Sequence, residues 1–188
     1  MTQPVASEVP SPRRRMRAQA LAEFALVLPI LAMLLLGIIQ FGFIFTAQIG
    51  VTNAVREAAR IAAVTPAVNN TDVGSIASNI YGRLTNANGL LERNVFVFNA
   101  ANIVTTAPAD TQVCYRSEAA AATGEWAVFV KVDAGYKHPL FIPLLSGLLD
   151  GIDGVTDGGL RIGASEEMRV ENVVLLADPA ITAPCHNP

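Results

Sequence analysis

Two histidines, two cysteines and a run of spaced acids are the side chains here with chemistry to offer. His138 lies in the turn YKHP, and His186 follows Cys185 in the C-terminal tail. A Cys185–His186 pair makes no nucleophile–base dyad, because such partners must meet in space rather than adjoin in sequence. Asp150, Asp153 and Asp157 alternate with glycines in DGIDGVTDGG. Their spacing is not that of an EF-hand loop, and the bidentate Glu at its twelfth position is missing, so the segment reads as an ordinary flexible loop. Neither metal-ligand spacing nor a phosphate-binding or dinucleotide glycine motif occurs. The expectation is a chain with no cofactor, no metal and no enzymatic activity. Cys114 and Cys185 have two readings. They are unlinked thiols, or, in an oxidising compartment, a disulfide that closes a long loop and ties down the Pro-rich tail.

One acid stands out. Glu23 sits at the leading edge of a run, residues 24 to 55, with no Asp, Glu, Lys or Arg, preceded by Arg13, Arg14, Arg15 and Arg17. About 20 apolar residues cross a bilayer, which places the crossing at about 24–45. Short basic flanks stay on the cytoplasmic side, so the N-terminus is expected inside and everything after Phe45 outside. A cleaved signal peptide is the rival, but its apolar region is only about 7–15 residues long and ends at a small-residue cleavage site. The net charge of −3 offers nothing to nucleic acid.

The elements that position these residues follow from periodicity. Residues 1–17 read as a disordered basic leader, and the leader as a whole as 1–18. A long helix is expected over 19–65, on the order of 65–70 Å at 1.5 Å per residue, with Pro29 kinking it by removing a backbone hydrogen bond. Gly50, Ala54, Ala58 and Ala62 recur every four residues as a smooth ridge that permits close approach. It packs either on the protein's own domain or on neighbouring subunits. Arg56, Glu57 and Arg60 form a solvated face.

Pro66 ends the helix, and 66–188 is expected to be an extracytoplasmic α+β domain. Asp72 caps an amphipathic helix with Val73, Ile76, Ile80 and Leu84 on one face, ending at a Gly89 cap. The period then becomes two. Strands are expected at 94–100, 111–116, 125–136 and over LRIGASEEMRVEN, with a hairpin loop in SEAAAATGE and a short apolar helix or lid at 140–150. The fold class is α+β: a long N-terminal transmembrane helix, then a small antiparallel sheet with one or two short helices.

The segment AQALAEFALVLP resembles the processing site of prepilin-like proteins of the Tad (tight adherence, type IVc) pilus system, specifically the TadE-like minor pilins. That family shows a basic leader, a pattern close to G-Q-A-x-x-E-F-A-L-x-x-P, and an apolar helix. Here Ala18, Gln19, Ala20, Leu21, Ala22, Glu23, Phe24, Ala25, Leu26 and Pro29 correspond, with Ala18 standing where the family usually has Gly. The resemblance is strong over 13–64 and weaker over 126–171. It implies cleavage between Ala18 and Gln19 by a membrane-embedded prepilin peptidase. It also implies a register role for Glu23, beside Phe24, whose carboxylate pairs with the new α-amino group of a neighbouring subunit. The implied partners are the major pilin, other minor pilins, the peptidase, the inner-membrane assembly platform and membrane lipid. A single-pass anchored binding or sensor domain, and a secreted enzyme, are the alternatives from other classes.

Overall fold

The computed structural model describes residues 12–65, 70–105, 110–119, 124–142, 146–147, 149–150, 152, 154–171, 178, 181 and 185–186. The chain divides into two units, Met1–Ile39 and Gln40–Pro188.

Helix α1 spans Pro12–Ala63 and is unbroken in secondary structure through Pro29. It begins inside the leader, so the part of the expected disordered segment from Pro12 onward is helical; the Arg and Met residues there are good helix formers. Residues 1–11 of the leader lie outside the described residues. In the first unit, helical side chains from Leu21 to Ile39 are broadly exposed, among them Phe24, Leu26, Ile30, Leu34 and Ile38.

The second unit is built on the last part of α1. Ile44, Ala47, Val51, Ala54, Val55, Ala58, Ala59 and Ala62 are buried there, in one core with the sheet and the following helices. Small residues allow this tight approach. A Cβ on Gly50 would lie 2.3 Å from the carbonyl oxygen of Asn94. Gly50, Ala54, Ala58 and Ala62 are thus all buried within the protein's own domain.

Helix α2 (Asn70–Thr85) buries Val73, Ala77, Ile80 and Leu84, with Ile76 partly buried. It starts two residues before the expected cap, so Asp72 lies in its first turn, where a carboxylate favours the helix dipole. The helix stops before Gly89. Asn88 takes the left-handed conformation (φ 60°), and Gly89 is extended, serving as N-cap of a short helix α3 (Leu90–Asn94). The strand expected at 94–100 does not form. Its residues make the end of α3, a turn in which Val97 has φ 60°, and the start of a 3-10 turn over Ala100–Asn102.

The sheet is antiparallel throughout. Strand β1 is Ile103–Val104, β2 Gln112–Ala119, β3 Trp126–Pro139, β4 Gly159–Arg169 and β5 Cys185–His186. β3 is central, paired with β4 over Phe129–Pro139, while β2 pairs with its Trp126–Asp133 part and β1 with Gly135 and Tyr136. β5 pairs with β2. Alternation in β3 sends Val128, Val130, Val132, Ala134, Tyr136 and His138 into the core, all nearly or fully buried. On the other face Arg116 covers the Phe129 ring, 4.6 Å from its centroid, and pairs with Glu118 and Glu167. The hairpin loop between β2 and β3 has its tip, 120–123, outside the described residues. So does much of the apolar stretch 140–150, of which Ser146, Gly147 and Leu149 are helical.

Candidate functional site

Among the residues with reactive side chains, geometry brings few together. Cys114 and Cys185 face each other across β2 and β5 and are joined by a disulfide. That leaves no free thiol among the described residues. Asp150 accepts backbone N–H bonds from Asp157 and Gly158, both 3.0 Å, so its carboxylate closes the Gly-rich loop. Asp157 faces Lys137 and Arg161 instead. Asp153 lies outside the described residues, and no group of three His, Cys, Asp or Glu side chains suited to a metal occurs among those described.

A cleft of about 330 Å³ opens on the outer sheet face beside Gln112, Lys131, Asp133 and Ser165. Its central carboxylate is already satisfied: Asp133 accepts from Gln112 at 3.0 Å and from Lys131 at 3.1 Å. His138 is fully buried, and neither ring nitrogen has a hydrogen-bond partner. Burial alone pushes its pKa below the ordinary histidine value, because the charged form is the one that loses water. A neutral imidazole lacking both a nucleophile and solvent is a core residue.

The N-terminal part of α1 has a different character. Glu23 is exposed and accepts a hydrogen bond from Gln19 Nε2 at 3.1 Å, one helical turn away. Phe24 is exposed beside it, and apolar side chains continue on every side of the helix. A helix apolar all round belongs in a membrane or a helix bundle rather than in water. The Ala18–Gln19 peptide is helical, about two turns from the start of α1, in the region where helix ends open most readily.

Where α1 enters the second unit, Gln40 takes over. It is the first polar residue after Glu23 in the sequence and is 1% exposed. Its amide donates to Pro139 O at 3.4 Å and accepts from Phe141 N at 3.1 Å, so it holds the end of β3. Further along, Gln48 Nε2 donates to Gly163 O at 3.0 Å, and Arg56 faces Glu166 at 3.6 Å. Sequence reasoning missed Gln40, although the first amide inside an apolar run was its visible signal.

These features define an α+β protein with a single helix among the described residues long and apolar enough to cross a membrane. Residues 18–60 match the family described as TadE-like protein, so α1 from Ala18 to Arg60 is a TadE-like segment. No curated protein and no solved structure matches the chain.

Proposed function

We propose that the chain is a minor pilin, or pseudopilin, that serves in assembling a Tad pilus. The observation that carries this reading is the TadE-like segment itself: an exposed apolar helix with one acid, Glu23, at its leading edge. A prepilin peptidase cuts between Ala18 and Gln19, on the cytoplasmic side, and Glu23 becomes the fifth residue of the mature chain. Ala18 is the smallest replacement for the glycine usual before the cut.

An ionised acid in hydrocarbon costs several kcal/mol unless paired. The α-amino group freed on a neighbouring subunit supplies the partner, so pairing sets the stagger between helices. Partners are then the major pilin, other minor pilins, the peptidase, the assembly platform and membrane lipid. The role is structural rather than catalytic, and the α+β unit lies outside the cytoplasmic membrane.

Two measurements test this. Intact mass and N-terminal sequencing of protein from native membranes should find a chain that begins at Gln19. Glu23→Ala should leave membrane insertion intact and abolish piliation. Normal pili in that variant would sink the register role, and an uncut N-terminus would leave an anchored domain.

A further inference from the structure

Three phenylalanines meet at the end of the second unit that carries Gln40. Phe43 of α1 stacks on Phe96 with ring centroids 5.8 Å apart and meets Phe141 edge-on at 6.2 Å. The three come from distant parts of the chain, and two independent devices hold them there. Gln40 clamps the backbone of Phe141 through the bond from Phe141 N. Tyr136, fully buried, donates its hydroxyl to Val97 O at 3.0 Å and accepts from Asn99 N at 2.9 Å, which fixes the turn bearing Phe96. Val97 is held in that turn at φ 60°, a conformation unusual for a β-branched residue.

All this fixing leaves the outer rings in the open. Phe96 is 57% exposed and Phe141 52%, and Phe45, next along α1, is 65% exposed. An apolar rim of this kind, held rigidly and facing outward, marks an interaction surface. Its position says which. The charge-free run opens at Phe24, and the roughly 20 helical residues that cross hydrocarbon are used up at Phe43. Phe43, a member of the rim, is thus the residue at which such a crossing ends, at the depth where the acyl chains end. No Lys or Arg belongs to the rim, so its attraction is apolar rather than directed at anionic headgroups.

We infer that Phe43, Phe96 and Phe141 form a lipid-docking rim that seats the globular unit on the leaflet at the C-terminal end of the span. Phe96 and Phe141 enter the boundary between headgroups and acyl chains, as the apolar face of an interfacial element does. The unit is then not a tethered ball; two loops and one helix fix its orientation to the bilayer surface. This rests on α1 being a membrane anchor and not on the pilus assignment.

The test uses the full chain in phosphatidylcholine vesicles. Trp126, the only tryptophan, starts β3 at the end opposite Pro139, so in the unaltered chain its emission should be indifferent to lipids brominated on the acyl chains. In a Trp126→Phe background, Phe96→Trp and Phe141→Trp each keep an aromatic ring and add a reporter. Both reporters should lose emission in brominated lipid and be protected from aqueous iodide. Iodide quenching without bromine quenching at either position would place the rim in water and overturn the inference. Protection from both quenchers, lost as lipid is added in excess over protein, would mean that a second copy covers the rings, and would overturn it equally. Flotation with the vesicles reads the anchor separately. A chain that fails to float refutes anchoring and docking together, whereas one that floats with iodide-accessible reporters refutes docking alone.

Discussion

Replacing Gly50 by Ala adds one methyl group to a helix that should welcome it, and it should nonetheless destabilise the protein. Ala is favoured over Gly in a helix by about 1 kcal/mol. At Gly50, however, the new Cβ lies 2.3 Å from Asn94 O, 2.9 Å from Asn94 C and 3.1 Å from Val95 Cα. These are backbone atoms, so no side chain can swing aside. The end of α3 must retreat by at least about 0.7 Å to bring the nearest contact to 3.0 Å, and it carries Leu91, which is fully buried. Overpacking of this kind costs about 1–3 kcal/mol, and rigid backbone puts this site at the upper end. The net loss is about 2 kcal/mol, or a fall of roughly 4–8 °C in melting temperature for a unit of this size. Gly74, exposed in α2 with nothing near its missing Cβ, is the matched control: Gly74→Ala should gain about 1 kcal/mol from the same propensity term. Calorimetry on the full chain in detergent reads both. A Gly50→Ala protein melting at or above the unaltered chain would refute the close-packing argument, above all if Gly74→Ala rises with it.

Two further outcomes are expected. Changing both Cys114 and Cys185 to Ala frees a loop spanning a separation of 71 residues, which the chain-entropy relation values at about 4 kcal/mol; equal denaturant midpoints with and without the bond would contradict it. His138, whose folded pKa lies below its ordinary value, makes stability depend on pH in a set direction. The unfolded chain binds the proton first, so the contribution is complete above about pH 6.5 and is lost as pH falls toward the folded value, by at most about 1.4 kcal/mol per pH unit. His138→Phe should flatten the melting temperature between pH 5 and 7, and unchanged slopes in the variant would disprove the assignment.

The elements legible in the sequence are those whose period survives without help from distant residues. The charge-free run and its Ala spacing mark α1, and the alternation of VFVKVDAGY marks β3, because in each the buried face repeats at the element's own period. Residues 94–100 also alternate, and there the pattern misleads. Leu90 and Leu91 are buried in α3 instead, and the turn after it depends on Tyr136, about 40 positions away, whose bond to Val97 O no local pattern encodes. YKHP reads locally as a turn around His138. Proline is tolerated at a strand end, so β3 runs on through Pro139 and carries the imidazole into the core. The acid at Glu23 and the ridge of small residues were visible as residue types. Gln40 was visible too, but its task depends on Pro139 and Phe141, about 100 positions away.

The last part of α1 has a mechanical consequence. From Ile44 to Ala63 the helix lies in the core of the second unit, and it is cross-linked along its length to β4 and the turn after it: Gln48 to Gly163, Arg56 to Glu166, and Ala63 O to the N–H of Glu171. A pull along the helix axis loads these rungs and the interlocked Ala ridge in shear, all together, whereas peeling would break them one at a time. This part of α1 thus acts as a tow-bar for its own unit. Force applied to it reaches the folded unit through these contacts together.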